Sequence, residues 1–419
     1  MSKTKTAIVE EWVTAEEASK LASIKKPTLY AYVSRGLIRS VEGGGLSRAR
    51  LYNRDDVEHV RTRSRARSGH AAVAASALRW GEPVLDTRIG TIDARGPVYR
   101  GIPARELVDN GATFEDTCEL LWESPFVASP PKKEPSLTVV RSLLPKRALP
   151  FDAMFVMAGM LAAAEGRGDA LLMMKTRAGT LIRRLVAACA VPRGPKVVEK
   201  ALGARSVAEA LLVGLGGKTD ARAVAAMNRA LVLCADHELN ASTFAVRIAA
   251  SADASLAASL LAGVAAMSGT LHGGATARVE AFVDEVGSPE KAASVVSARR
   301  DRGEAVPGFG HKLYPEGDPR GAVLLADAQK LAPRVRDVKV LVAAANAMNL
   351  AARELPTVDV GTVALAAALG LPRGSALAIF ACGRLAGWVA HALEQRQDGH
   401  LLRPRARYVG PSSNVPATE

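Results

Sequence analysis

The chain has 419 residues, of which 48% are apolar and only 4% are aromatic. This length allows two to four domains, and a core rich in alanine and leucine favours packed helices over sheets. Charged residues interrupt every apolar run long enough to cross a membrane, and no apolar leader follows Met1. The four widely spaced cysteines form no zinc pattern. We therefore expect a cytoplasmic, mainly α-helical protein with free thiols and no membrane contact.

The charge is distributed unevenly. The formal net charge is +13, and residues 1–70 alone contain 14 Lys and Arg against 8 Asp and Glu. The basic excess is therefore concentrated at the front of the chain. Such a segment predicts an anionic partner, for which nucleic acid is the obvious candidate.

The front of the chain contains two helix signals. Thr14 and Glu17 have the spacing of a capping box, which predicts a helix that continues to Ala22. Pro27 suits the first turn of a second helix, predicted over 28–35, because proline needs no hydrogen-bond partner for its nitrogen there. Two helices joined by a short turn are therefore expected.

A hairpin and a third helix are predicted next. Glycines at 43–45 separate short segments at 37–39 and 50–52, which predicts two strands joined by a turn. Asn53 is positioned to cap a short helix over 54–60.

This order of elements resembles the winged helix-turn-helix domains of the MerR and excisionase families. The resemblance covers residues 1–62, and an arginine-rich stretch at 63–82 is interpreted as a basic linker. It implies that the second helix enters the major groove of duplex DNA while the hairpin meets phosphate. A module used for protein contacts or regulation is the alternative. The residues that would contact DNA are Lys25, Lys26, Thr28, Tyr30, Tyr32, Arg35, Arg48, Arg50 and Arg54.

The rest of the chain is predicted to be mostly helical. Short strands are expected within 84–93 and 97–101, and a loop insertion at 130–135. Nearly continuous helical periodicity follows. The predicted helices span about 103–108, 114–122, 151–164, 170–190, 206–214, 220–235, 243–268, 275–286, 289–299, 320–331, 337–353, 359–369 and 374–395.

Two histidines lie in glycine-rich segments. His272 falls in Ser268–Ala275 and His311 in Pro307–Tyr314, where glycines let the backbone approach a ligand closely. A helical pattern begins after Gly274, so the positive end of a helix dipole disfavours a charged imidazole at His272. A neutral, hydrogen-bond-donating histidine is expected there. The alternative is a pair of solvent-exposed loop histidines.

Three further polar residues interrupt apolar helical patterns. His237 lies where one helix ends and another starts, and Asp359 begins an apolar helix, where it can simply favour the dipole. Arg384 occupies an apolar helical stripe, which is costly unless an anion meets the guanidinium. Its planar fork suits a carboxylate. An internal acidic partner, or a stem that reaches the surface, is the alternative.

Together these motifs resemble the citrate synthase family. The resemblance implies a nearly all-helical homodimer with a large domain at 83–268 and 375–419 and a small domain at 269–374. The segments that carry it are 235–243, 272–275, 308–311, 318–320, 356–359, 383–384, 387–388 and 403–405.

The resemblance also implies an activity. An acyltransferase of this family condenses acetyl-CoA, or another short acyl-CoA, with oxaloacetate to give citrate and CoA. Asp359 would remove the proton beside the thioester carbonyl, His272 would donate to the enolate oxygen, and His311 would polarise the ketone. Beyond the CoA ester, no cofactor and no metal is implied. The oxaloacetate-binding residues would be His237, Arg320, Arg384 and, donated across the dimer interface, Arg403.

Several positions depart from the family pattern. Pro315 stands where a basic residue often contacts CoA phosphate, and Lys312 is the candidate replacement. Thr276 and Thr357 stand where asparagine is common. The preferred acyl-CoA is therefore left open. The alternatives are a 2-methylcitrate synthase, a citryl-CoA lyase that runs the chemistry backward, and a DNA-binding regulator whose body senses a ligand.

Overall fold

The computed structural model describes residues 12–22, 24–34, 37–42, 50–58, 85–129, 135–165, 168, 170–311, 313–314 and 317–404. The chain divides into two compact units, of which one spans Thr87–Arg403. We call that unit the body. The described residues 12–58, which belong to the other unit, are called the front module.

The front module is a small sheet with helices packed on it. Its antiparallel strands are β1 (Trp12–Thr14), β2 (Ser40–Glu42) and β3 (Arg50–Asn53), in the order β1-β3-β2. Helices α1 (Ala15–Ala22) and α2 (Lys26–Ser34) lie between β1 and β2 in the chain, and residues 54–58 are helical. The buried side chains that form its core are Val13, Ala18, Ala22, Leu29, Ile38, Tyr52 and Val57.

The predicted caps of this module are present. The backbone N–H of Thr14 donates to the Glu17 carboxylate at 2.9 Å, and the N–H of Glu17 donates back to the Thr14 hydroxyl at 3.3 Å. Asn53 accepts from the N–H of Asp56 at 3.2 Å. Both helix starts are thus fixed by short-range hydrogen bonds, which is why the sequence alone located them.

The strand prediction needs correction. The segment at 37–39 is a turn before β2, because the backbone N–H and the guanidinium of Arg39 both donate to Asp56 and hold it there. Strand β1 was not predicted. The glycines at 43–45, Arg35, Arg48 and the linker at 63–82 lie outside the described residues.

The body begins with a three-stranded antiparallel sheet and continues as helices. The strands are β4 (Gly90–Asp93), β5 (Gly96–Tyr99) and β6 (Ile102–Pro103), in that order across the sheet. The helices that follow are α3 (Ala104–Asp109), α4 (Phe114–Trp122), α5 (Pro135–Leu143), α6 (Pro150–Glu165), α7 (Leu171–Ala188), α8 (Pro195–Leu202), α9 (Val207–Leu215), α10 (Ala221–Cys234), α11 (Ala241–Ser251), α12 (Leu256–Met267), α13 (Gly274–Val286), α14 (Ala292–Asp301), α15 (Pro319–Leu331), α16 (Arg336–Ala352), α17 (Val358–Ala368) and α18 (Ser375–Asp398).

One helix prediction was wrong, and two helices have no counterpart among the predicted ones. The single helix expected over 243–268 is two helices, because Asp253 adopts a left-handed conformation (φ 64°) and Ser255 caps a new start. Helices α5 and α8 were missed. Each begins at a proline, which fits the first turn of a helix because no N–H is needed there.

Helix α18 is the central helix of the core. By length and composition it could cross a membrane, but 89% of its apolar stretch is buried inside the protein. It packs against α4, α7, α10, α11, α12 and α17. The four cysteines are buried free thiols, as expected.

A buried polar cluster fastens the start of the body to the end of α18. Arg247, which is 1% exposed, donates to the side chains of Glu394, Gln395 and Asp398 at 2.7–2.9 Å. Glu394 also accepts from the Thr87 hydroxyl and the Arg88 backbone N–H, both at 2.7 Å. The carboxylate is therefore fully engaged, and its burial depends on the guanidinium beside it.

Replacing Arg247 should therefore destabilise the body strongly. We expect R247A to lower the free energy of unfolding by about 3–5 kcal/mol, because Glu394 stays buried without its cation. The matched control is R105A, which removes an exposed ion pair with Asp109 and should cost no more than about 1 kcal/mol. Urea unfolding followed by circular dichroism measures both, and equal losses would contradict this account.

Candidate active site

Five side chains singled out from the sequence lie at the ends of helices or in loops of the body, and a sixth lies inside a helix. His237 follows α10, His272 precedes α13, and His311 precedes α15. Arg320 and Asp359 lie in the first turns of α15 and α17, and Arg384 lies inside α18. Helices α15 and α17 pack closely because Gly321 has no side chain; a Cβ there would lie 2.4 Å from the carbonyl oxygen of Thr357.

His237 and His311 form a cluster with Tyr314. The two imidazole rings meet edge-on with their centres 5.8 Å apart. His237 Nε2 lies 2.8 Å from the Tyr314 hydroxyl, and the Tyr314 ring centre is 4.9 Å from that of His311. Burial, reinforced by the charges of Arg320 and Arg384, holds the pKa of His237 well below its usual value. His237 is therefore neutral at pH 7.

The tautomer of His311 follows from one backbone contact. Its Nδ1 accepts the N–H of Leu313 at 3.1 Å, so this nitrogen carries no proton. Burial lowers the pKa of His311, with Asp318 opposing and Arg320 adding to the effect. A neutral ring thus keeps its proton on Nε2, where it can be donated to a ligand oxygen.

Arg320 is fixed by an acidic partner. Its Nε and Nη2 donate to the two carboxylate oxygens of Asp318 at 2.9 and 2.8 Å. Asp318 also accepts the N–H of Val358 at 3.0 Å, so the pair links the starts of α15 and α17. Burial alone would lower the pKa of Arg320, but Asp318 raises it above the usual value. Arg320 is charged and held in place.

Arg384 lacks such an acid. It is 1% exposed, its Nε donates to the carbonyl oxygen of Cys234 at 2.9 Å, and its guanidinium carbon lies 4.8 Å from the centre of the Phe380 ring. Its buried Nη2 has no hydrogen-bond partner among the described residues. Burial lowers its pKa, whereas Asp236 raises it. A buried guanidinium with an unused donor is a site prepared for an anion.

His272 is held by Ser242. Its Nε2 lies 2.8 Å from the Ser242 hydroxyl oxygen, and the ring meets Phe380 edge-on at 6.4 Å. Burial, and after it the charge of Arg384, lowers the pKa of His272 to about 4. The expected neutral imidazole is therefore present, with burial as the main cause.

The pKa of Asp359 is shifted upward, in the opposite direction to that of His272. It is half-buried and accepts a hydrogen bond from the Thr357 hydroxyl at 3.2 Å. Burial raises its pKa above the usual value, although the Thr357 hydrogen bond and the charge of Arg320 act against this. A carboxylate whose pKa is raised in this way is a better proton acceptor than an exposed aspartate.

Electrostatic contacts join these groups into one cluster. The positive charges of Arg320 and Arg384 both lower the pKa of His237. The positive charge of Arg320 acts on Asp359 and lowers its pKa, against the larger effect of burial. The cluster therefore combines two guanidinium groups, neutral imidazoles and one carboxylate that accepts protons readily.

Two residues from the sequence prediction are not joined to this cluster. Arg403 lies beyond α18 and is exposed, and no contact among the described residues connects it with Arg320 or Arg384. Its neighbour Leu402 donates its N–H to Ser251 at the end of α11. Lys312 lies outside the described residues.

Sequence reasoning also missed residues that support the site. Tyr314, Ser242 and Asp318 each contact a predicted site residue, but none of them was given a role in the chemistry. A signal existed for Tyr314, which follows His311 by three residues in the same glycine-rich segment. In the described part of the chain, no group of His, Cys, Asp and Glu side chains is arranged to hold a metal ion.

Family models match both parts of the chain. The model described as "Citrate synthase, C-terminal domain" matches residues 77–405, and that described as "Helix-turn-helix domain" matches residues 12–65. The first match covers most of the chain. The chain belongs to the citrate synthase family, and it carries a helix-turn-helix module in front. The predicted fold class, mainly helical with this small module, is confirmed.

Named relatives and solved structures agree with this assignment. A Mycobacterium tuberculosis protein named "Putative citrate synthase 2" is 37% identical over 336 residues, covering 76% of this chain and 88% of the relative. The 2-methylcitrate synthase of Shewanella oneidensis is 28% identical over 358 residues, covering 79% and 94%. Citrate synthase of Thermoplasma acidophilum, solved with carboxymethyl coenzyme A and oxaloacetate, is 25% identical with a TM-score of 0.69, covering 81% and 96%.

The neutral state of His272 can be observed directly. In NMR spectra of imidazole-labelled protein, its resonance, assigned by its absence in H272Q, should titrate only near pH 4. The variant R384M should move that midpoint upward, because it removes a positive neighbour that disfavours protonation. The exposed R105M serves as the control. A His272 midpoint near 6.5 in the unmodified protein would contradict the geometry.

Proposed function

We propose that the protein condenses a short acyl-CoA, in the first instance acetyl-CoA, with oxaloacetate to give citrate and CoA. The observation that carries the proposal is the buried Arg384 with an unused donor, close to neutral His237 and to Arg320. Family membership supports it, as does the relative whose solved structure holds oxaloacetate together with a CoA derivative. Nothing in the geometry favours the reverse cleavage of citryl-CoA.

Oxaloacetate has two carboxylates and a ketone. The cluster contains arginines that could bind the carboxylates and histidines that could bind the ketone oxygen. Arg384 and Arg320 would meet the carboxylates by charge-assisted hydrogen bonds. His311 would donate its Nε2 proton towards the ketone oxygen, and His237 would add a further contact. The ketone carbon then becomes more electrophilic, because negative charge that develops on its oxygen is stabilised.

The acyl-CoA would be activated on the other side of the cluster. Asp359 takes a proton from the carbon beside the thioester carbonyl, and His272 donates a hydrogen bond to the enolate oxygen that forms. For this the His272 proton must be on Nδ1, which requires the Ser242 hydroxyl to turn its one proton from Asn240 Oδ1, at 2.7 Å, to His272 Nε2, at 2.8 Å. The enolate carbon attacks the ketone carbon, and the resulting alkoxide takes the His311 proton. Water then hydrolyses the citryl-CoA thioester, and CoA leaves.

The proposal includes the domain arrangement and a dimer. Residues 83–268 with 375–419 would form a large domain, and 269–374 a small domain that carries His272, His311 and Asp359. Arg403 of a second copy would complete the oxaloacetate site, since within one chain it has no contact with Arg384 among the described residues. Lys312 would meet a CoA phosphate.

Release of CoA thiol tests the reaction. The unmodified protein should release CoA from acetyl-CoA or propionyl-CoA only when oxaloacetate is added. D359N and H272Q should each lower kcat by about 10²–10⁴-fold, the usual contribution of a general acid or base. D301N, which changes an exposed aspartate on α14, should leave kcat unchanged. Absence of CoA release with both thioesters would refute the proposal.

We also propose that the front module binds duplex DNA. Lys25, Lys26, Thr28 and Tyr30 are exposed at the start of α2, and Arg50 is exposed on β3. The helix-turn-helix match supports this placement. Arg35 and Arg48 would add contacts. An exposed helix start with two lysines suits the phosphate backbone.

The salt dependence of binding tests this second function. The double variant K25A/K26A should weaken binding to a pool of promoter fragments. It should also reduce the slope of log affinity against log salt by about 1 for each phosphate that the variant no longer neutralises. The control is K20A on α1, whose lysine pairs with Glu16. If K20A and the double variant bind DNA alike, α2 is not the DNA-contact surface.

A further inference from the structure

One face of α18 contacts the loop that follows α10. Arg384, Gly387 and His391 recur at the spacing of one helix face. Arg384 Nε donates to the carbonyl of Cys234 and the N–H of Gly387 donates to the carbonyl of Ala235, both at 2.9 Å. His391 Nε2 lies 3.3 Å from Asp236 Oδ1. Three successive residues, the last of α10 and the first two of the loop, thus contact three positions of α18.

The third contact is a deeply buried acid–imidazole pair. Asp236 is 1% exposed and His391 is 0% exposed. The room for the carboxylate depends on Gly387, because a Cβ there would lie 2.4 Å from Asp236 Oδ1. Among the described residues His391 has no other polar partner, since neither ring nitrogen makes an aligned hydrogen bond. A carboxylate so deeply buried is tolerated only with a compensating group.

The same carboxylate fixes the direction of His237. Asp236 Oδ2 accepts the N–H of Glu238 at 3.1 Å, and Glu238 has a left-handed backbone (φ 54°). This tight turn presents His237 towards Tyr314. Asp236 therefore connects α18, which carries Arg384, to the backbone turn that carries His237.

Burial pushes the pKa of Asp236 upward. His391 and Arg384 push it down more strongly, so its pKa lies below the usual value. The carboxylate is therefore charged, and it faces one imidazole and one guanidinium.

We propose that Asp236 and His391 are a positioning pair for the oxaloacetate site. They hold the loop at 234–238 so that the Cys234 carbonyl orients Arg384 while His237 faces the substrate. Neither residue touches the substrate. The inference rests on the proposed function, because it assigns the pair to one of the two substrates.

The KM values for the two substrates distinguish this positioning role from a merely structural one. Arg384 and His237 would contact oxaloacetate, whereas His272 and Asp359, on other elements, would act on the acyl-CoA. A misplaced loop therefore raises the KM for oxaloacetate and leaves the KM for acyl-CoA nearly unchanged. A general loss of structure lowers the active fraction without this asymmetry.

The test compares H391L, which removes the polar partner, with H391Q, which keeps an amide donor of similar reach. H391L should raise the KM for oxaloacetate by about tenfold or more, because the Asp236 carboxylate then stays buried without its imidazole partner. The KM for acetyl-CoA should stay within about twofold, and H391Q should recover part of the loss. The control is H400L, at an exposed histidine beyond α18. The thermal midpoint of each variant is recorded alongside.

An oxaloacetate KM that is unchanged in H391L, or that rises in step with the acetyl-CoA KM, would overturn the role of the pair. If H391L does not fold, H391Q decides, because an oxaloacetate KM equal to that of H400L would also overturn it. An unmodified protein that releases no CoA would instead refute the proposed function, and this inference with it. The two failures are therefore distinguishable.

Discussion

The site depends on a buried guanidinium that the protein leaves partly unsatisfied. Taking an isolated charge out of water costs several kcal/mol, and a buried arginine normally meets an acid. Arg320 does so through Asp318. Among the described residues, Arg384 contacts a backbone carbonyl and the face of Phe380, and the charge of Asp236 acts on it. An incoming carboxylate would complete the hydrogen bonds of Arg384. Binding would therefore offset the free-energy cost of burying a guanidinium with an unused donor.

The same positive charges set the state of the histidines. Burial and the nearby arginines disfavour protonation, so His237 and His272 are neutral well below pH 7. Neutral imidazoles can donate hydrogen bonds without adding to the positive charge of the site. Asp359 is affected in the opposite sense, because burial disfavours its charged form and raises its pKa. A single environment therefore prepares both hydrogen-bond donors and a proton acceptor.

Local features could be predicted from the sequence, and contacts between distant segments could not. The capping box at Thr14, the position of His272 before α13 and the helical stripe around Arg384 all follow from spacing within about one to three helical turns. The contact between His237 and Tyr314 joins residues 77 positions apart, and that between Asp236 and His391 joins the loop after α10 to α18. Such contacts depend on how whole helices pack, which periodicity does not reveal. The role of Arg403 involves a second copy and is still a prediction.

Calorimetric titration of oxaloacetate into the protein without acyl-CoA tests the central claim most directly. The account predicts that the unmodified protein binds oxaloacetate, and that R384Q, which keeps a polar side chain but removes the charge, loses at least about tenfold in affinity. It also predicts weaker binding of pyruvate, which has one carboxylate fewer. If R384Q bound oxaloacetate as tightly as the unmodified protein, the buried guanidinium would not be the anion site.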